Sequence, residues 1–196
     1  MVANLSAMRR FGLIAAGALF AVSACGGGSK GDSASTSSSS APASSSSSTP
    51  TTVTTTTVKP EDEVKAAWDA YWKTVERLLQ APNPDDPELP SRAVDPVLSF
   101  LRDDLANFVA KRQHVVFRPG GKYVHRFISA SIAGSSATVS GCQLDDSITE
   151  TLSGEVVDDS ISTRQIRATF HRDGGVWKAS NVSFESEVEG LVGCAD

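Results

Sequence analysis

Residues 59–112 and residues 113–196 read so differently that the sequence predicts an α+β fold, with helices packed on one face of an antiparallel sheet. Along two early segments apolar residues recur at helical spacing, and after Gln113 the apolar period drops from about 3.6 to 2. The alternating segments are separated by short Gly-containing turns, which join neighbouring strands as hairpins rather than through crossovers.

Lys59-Pro60-Glu61-Asp62-Glu63 opens the first helix, with Pro in the first turn and acids at the positive end of the helix dipole. Val64, Ala67, Trp68, Tyr71, Trp72, Val75, Leu78 and Leu79 then form one broad apolar stripe. Its aromatic content, Trp68 and Trp72 above all, leaves two readings open: plain core, or the lining of a ligand pocket. Three prolines at 82, 84 and 87 break the helix, and a short helical turn is expected at residues 89–93. Asp95 as N-cap and Pro96 at the first helical position start the next helix. Val97, Leu98, Leu101, Leu105, Phe108 and Val109 supply its buried face, leaving Asp103, Asp104, Lys111 and Arg112 in water.

A short strand is expected at residues 114–118, followed by a turn at Pro119-Gly120-Gly121. Residues 123–132 alternate, which sets Val124, Ile128, Ala130 and Ile132 on one face and Tyr123, His125 and Phe127 on the other. A turn at residues 133–136 leads into a strand at 137–144. Strands at 164–172 and 176–184 are joined through Asp173-Gly174. Residues 145–160 are polar and acidic, with Gly154 in a turn.

Ahead of this domain, Arg9 and Arg10 precede twelve apolar residues, 11–22. Twelve residues of helix cover about 18 Å, well short of the roughly 30 Å of a bilayer core, so the run reads as an export signal rather than a span. Val22-Ser23-Ala24-Cys25 resembles the bacterial lipobox. The resemblance implies that residues 1–24 are a signal peptide cleaved before Cys25, whose thiol is linked to diacylglycerol. It implies a membrane partner through that anchor, on the extracytoplasmic face. The alternative is a secreted protein with a chance cysteine at the cleavage site.

Residues 25–58 then form a tether: 20 of the 33 residues from 26 to 58 are Ser or Thr. So polar a segment buries too little surface to offset its ordering entropy, and its expected reach as a coil is about 30 Å. Its threonines are candidates for O-linked sugars; an unmodified spacer is the other reading. Residues 59–196 remain as one folded domain, long enough for a core of its own.

The chain carries 18 basic and 23 acidic side chains; losing Arg9 and Arg10 with the signal leaves a formal charge of −7. No basic stripe is present, which argues against nucleic acid as a partner. With Cys25 assigned to lipid, Cys142 and Cys194 remain, and an even pair in an oxidising compartment predicts a disulfide. It would close a loop of about 53 residues, worth roughly 4 kcal/mol in the chain-entropy account.

The helices-then-strands order resembles the nuclear transport factor two-like cone, also called cystatin-like. Asp86-Pro87-Glu88-Leu89, Ala137-Thr138-Val139 leading to Cys142, Gly174 with Val176-Trp177-Lys178, and Cys194 resemble small exported lipoproteins of actinobacteria. The resemblance implies a curved sheet wrapped around a pocket that the helices close. Some relatives, the polyketide cyclases and ketosteroid isomerases, are enzymes; many others have no known activity. Tyr123, His125, Phe127, Trp68 and Trp72 are the expected pocket residues.

No catalytic set can be named. His114, His125 and His171 lack metal-ligand spacing, and Asp145-Asp146 and Asp158-Asp159 lack the pattern of a calcium loop. No phosphate-binding glycine loop or nucleophile elbow occurs in the domain, and no cofactor is expected. The leading expectation is a non-catalytic, membrane-anchored module binding a small apolar envelope ligand or an envelope protein. Its alternatives are an isomerase- or cyclase-like enzyme with a His or Asp in the pocket, and an accessory subunit of a membrane complex.

Overall fold

The computed structural model describes residues 58–194. The predicted signal, Cys25 and all but the last residue of the tether lie outside the described residues. Three helices, α1 (Pro60–Gln80), α2 (Leu89–Arg92) and α3 (Val97–Lys111), precede seven strands. These are β1 (Gln113–Val116), β2 (Tyr123–Ala133), β3 (Ser136–Asp145), β4 (Ile148–Thr151), β5 (Val156–Asp158), β6 (Ser162–Asp173) and β7 (Val176–Glu189). All pairing between strands is antiparallel, so the fold is α+β with helices packed against antiparallel sheets.

The larger sheet is a meander in the order β2-β3-β6-β7. Its hairpins need little chain: Ala133 faces Ser136, and Asp173 faces Val176 across Gly174-Gly175. Both glycines hold positive φ (57° and 86°), as a two-residue primed turn requires. Three register breaks, one in β2 between Phe127 and Ser129 and two in β7 opposite Gln165/Ile166 and Thr169/Phe170, bend the sheet. Helix α1 lies against β2 and β7. Val64, Trp68, Tyr71, Trp72, Val75, Leu78 and Leu79 are buried, as the helical stripe predicts.

Trp68, fully buried, is the centre of that contact. Its ring rests on Gly141 of β3, where a Cβ would fall inside the indole and 2.9 Å from the Arg126 carbonyl. Its indole N–H donates to the His125 carbonyl at 3.3 Å. Edge-on contacts to Trp72 and Phe127, with centroids at 5.6 and 6.3 Å, extend the packing. Two polar clamps fix the helix ends. At the start, Glu63 accepts from Arg172 at 3.0 Å and from the Trp177 indole at 3.4 Å. Near the end, Arg77 bridges Asp86 (2.9 Å) and Glu88 (3.0 Å), and Arg92 donates to Glu88 at 2.6 Å. The Arg77 guanidinium holds the Asp86 carboxyl below the ordinary range, and Arg92 does the same for Glu88.

Cys142 and Cys194 are joined in a disulfide, with Cα atoms 5.8 Å apart. In β3, Ala137, Val139 and Gly141 face the helices, so Cys142 points to the opposite face. There it forms a small cluster with Leu144 and Cys194. Thr163 holds the approach of the tail, donating to the Gly190 carbonyl and accepting from the Val192 N–H.

Four details depart from the sequence expectation. The bulge at Ile128 changes the facing of β2: Val124 and Ile128 are exposed, whereas Ala130 and Ile132 pack on the core with Phe127. Residues 145–160 contain β4 and β5, which join β1 in a second, three-stranded sheet. The third helix begins at Val97 with Pro96 as the cap residue; the Asp95 carboxylate still accepts the Ser99 N–H (3.1 Å) and hydroxyl (2.6 Å). On α3 Val109 is exposed, while Asp104 is half-buried and desolvation pushes its carboxyl up to about 6.

Among the described residues no helix is long and apolar enough to cross a membrane.

Because the Trp68 ring occupies the space where a Cβ would stand, Gly141→Ala is expected to cost about 1–3 kcal/mol of stability. Urea unfolding of the two proteins checks this; equal midpoints would mean that the ring moves aside freely.

Candidate functional site

The bulged sheet and α1 bring all five expected pocket residues together, on the inner face of the sheet, but as a packed array. Trp72 stacks flat on the His125 imidazole, with centroids 3.7 Å apart and planes 7° from parallel. Tyr123 meets the same imidazole edge-on at 5.2 Å, and Phe117 stacks on Tyr123 at 4.5 Å. Phe127 and Trp68 continue the array toward Gly141. The rings pack on one another where they were expected to line a pocket.

His125 is the polar member. Its Nδ1 lies 2.9 Å from Glu76 Oε1, and its side chain is 2% exposed. Burial lowers its pKa from the ordinary 6.5, an effect that the Glu76 carboxylate only partly offsets. The neutral ring therefore donates its Nδ1–H to Glu76, which leaves Nε2 buried with no hydrogen-bond partner. Burial, with the charges of Asp145 and Glu76, also pushes the Tyr123 phenol well above its usual range. Tyr123 stays neutral at physiological pH.

Beside this array stands a polar ladder across three strands. The antiparallel register sets Gln143 opposite Arg164 and Arg164 opposite Glu187. Arg164 donates to Gln143 (3.3 Å), Asp145 (3.5 Å) and Glu187 (3.4 Å), and its guanidinium lies 5.3 Å from the Phe184 ring centroid. One cation thus serves two carboxylates.

An open groove of about 680 Å³ adjoins the ladder, lined by Ser160, Ile161, Ser162, Phe184, Glu185, Ser186, Glu187 and Glu189. None of the five predicted pocket residues lines it. Six of its eight lining residues are Ser or Glu, so its chemistry is polar and acidic. The groove volume falls within the usual range for small-molecule sites.

The other sequence candidates lie elsewhere. His171 is exposed, paired with Ser136 far along the sheet from His125. Asp145 and Asp158 each spend one oxygen on the N–H and hydroxyl of the serine two residues on, so both pairs of acids begin Asx turns. Sequence reasoning missed Glu76, Gln143, Arg164, Glu187, Glu189 and Ser162. The available signal was weak: polar residues at alternate positions near the ends of strands, which become neighbours only once the register is known.

No protein-family model matches the chain, and no curated protein matches it. Among solved structures it is similar to the intermembrane space region of the chloroplast protein ARC6. The TM-score is 0.53 at 14% identity, over 65% of this chain and 98% of that one. So low an identity speaks to the fold alone. A de novo designed β-sheet protein aligns at a TM-score of 0.36 with 14% identity, over 69% of this chain and 97% of that one, which adds nothing to the fold argument.

The His125 pKa carries a pH dependence with a definite sign. The unfolded chain takes up this proton near pH 6.5, the folded chain only at lower pH, so the unfolded state binds more protons between the two values. The His125 contribution to stability is therefore full above about pH 6.5 and falls as the pH drops below it. Denaturant midpoints between pH 5 and 8 should show this loss in the native protein and not in His125→Gln; parallel curves would contradict it.

Proposed function

We propose that this chain is a lipid-anchored extracytoplasmic binding module, held on the membrane through Cys25, that carries a non-catalytic nuclear transport factor two-like cone. The signal pattern before Cys25 and the Ser/Thr-rich tether support the anchor. The Cys142–Cys194 disulfide fits an oxidising compartment. A bulged antiparallel meander with α1 packed on its inner face supports the cone.

The observation that carries the binding reading is the open groove of about 680 Å³ beside the Arg164 ladder. Its volume matches that of a small ligand, yet neither a histidine nor a tyrosine lines it. Arg164, which would be the strongest electrophilic group nearby, is already engaged by Gln143, Asp145 and Glu187. The lining moves the ligand class from the apolar molecule expected from the sequence to a polar one. Three glutamates and three serines would be stripped of water by an apolar guest without compensation.

An isomerase- or cyclase-like activity has one observation in its favour, the buried His125 beside Tyr123 with an unpartnered Nε2. Against it, Trp72 covers the imidazole face and both groups sit in packed core rather than in the groove.

Two or three acyl chains, each contributing about 0.8 kcal/mol per buried CH₂, hold a protein on a bilayer far more firmly than one. Cys25→Ala is accordingly expected to abolish lipid attachment and to move the chain out of the washed membrane pellet. Variant protein that is processed as before and stays in the pellet would rule the anchor out.

A further inference from the structure

We infer that the groove lined by the start of β6 and the last third of β7 takes an organic cation, a small molecule bearing protonated amines; the inference rests on the binding-module reading above. Charge comes first. Three carboxylates line the groove, Glu185, Glu187 and Glu189; with Asp145 behind them, four carboxylates face two guanidinium groups, those of Arg164 and Arg167. Arg164 serves Asp145 and Glu187 together, and Arg167 chelates Glu185. Glu189 makes no ion pair among the described residues, so these six groups together carry two negative charges in excess. An acidic wall of this kind raises the local concentration of cations.

Charge alone would fit any solvated acidic face. A second feature is not explained that way. Ser162 lines the groove and is 2% exposed, yet its hydroxyl has no hydrogen-bond partner. A buried hydroxyl left unpaired costs free energy, and natural structures rarely leave one without a reason. Ser162 stands in register with Asp145 on one side and Glu189 on the other, so the unused hydroxyl sits in the same row as the carboxylates. Nearby, Ser160 donates its own proton to Asp158 at 2.7 Å, which leaves its oxygen lone pairs as acceptors. Serine acceptors beside carboxylates match the three N–H donors of an ammonium group.

A bare metal ion fits less well. Among the described residues no three His, Cys, Asp or Glu side chains converge as a metal site. Two of the groove's glutamates are held by arginines, and a metal would have to displace those ion pairs. An amine needs only the outer carboxylate and the hydroxyls, with Phe184 and Ile161 as apolar wall for its carbon chain.

The test is isothermal titration calorimetry of the full lipidated chain in neutral detergent with three probes of similar length: spermidine, 1,8-octanediol and suberate. Spermidine is expected to bind, and more weakly as salt is raised. Glu189→Gln and Ser162→Ala should each lower its affinity about fivefold. Neither variant should lose thermal stability, since one is exposed and the other removes an unpaired hydroxyl. Spermidine binding that ignores both substitutions would overturn the inference. Binding of the diol or the diacid but not spermidine would overturn it too, while leaving a binding groove in place. No binding by any probe would remove both readings.

Discussion

The indole of Trp68 lying on the bare backbone of Gly141 sets how closely α1 approaches the sheet, and most of the structure depends on that distance. With no Cβ at position 141, the helix comes close enough for Trp72 to stack on His125 and for Tyr71 to reach Phe170, at centroids of 3.7 and 6.3 Å. The same approach lets the Trp68 N–H use the His125 carbonyl. Glu63 and Arg77 then clamp the two ends of the helix, but ion pairs this exposed add little; the buried rings carry the contact.

Packing rings between α1 and the sheet has a chemical consequence. The inner face keeps polar side chains only toward one end, where Gln143, Asp145, Arg164 and Glu187 meet by register. A half-buried arginine between two carboxylates and an amide is a satisfied arrangement, and it fixes the wall of the groove rather than offering a reactive group. The chemistry left to the groove is recognition by charge and hydroxyls. The disulfide acts on the opposite face, where the tail is drawn across Cys142 and Leu144.

Much of this was legible in the sequence, because the signals were local. The α1 stripe, the breaker at Pro82 and the primed turn at Gly174 each follow from a few neighbouring residues, and the pairing of the last two cysteines from the cysteine count alone. The failures were non-local. A one-residue bulge at Ile128 exchanged the faces of β2, and nothing in an alternating run marks where it slips. Strands β4 and β5 are too short to show an apolar period; β4 exists through pairing with β1 some 35 residues away, and β5 through pairing with β4. Glu76 on α1 and Arg164 on β6 became site neighbours only through that long-range register. The aromatic stripe was read rightly as a face; whether it lined a hollow or filled one depended on Gly141, a residue with no side chain to announce it.

The contact between Trp68 and Gly141 is most directly tested by a double-mutant cycle using Trp68→Leu and Gly141→Ala, followed by urea unfolding. If the ring and the bare backbone fit each other, Trp68→Leu should cost markedly less in the Gly141→Ala background than in the native one, with a coupling energy above about 1 kcal/mol. Additive losses would contradict the account, because the two residues would then be stabilising the fold independently.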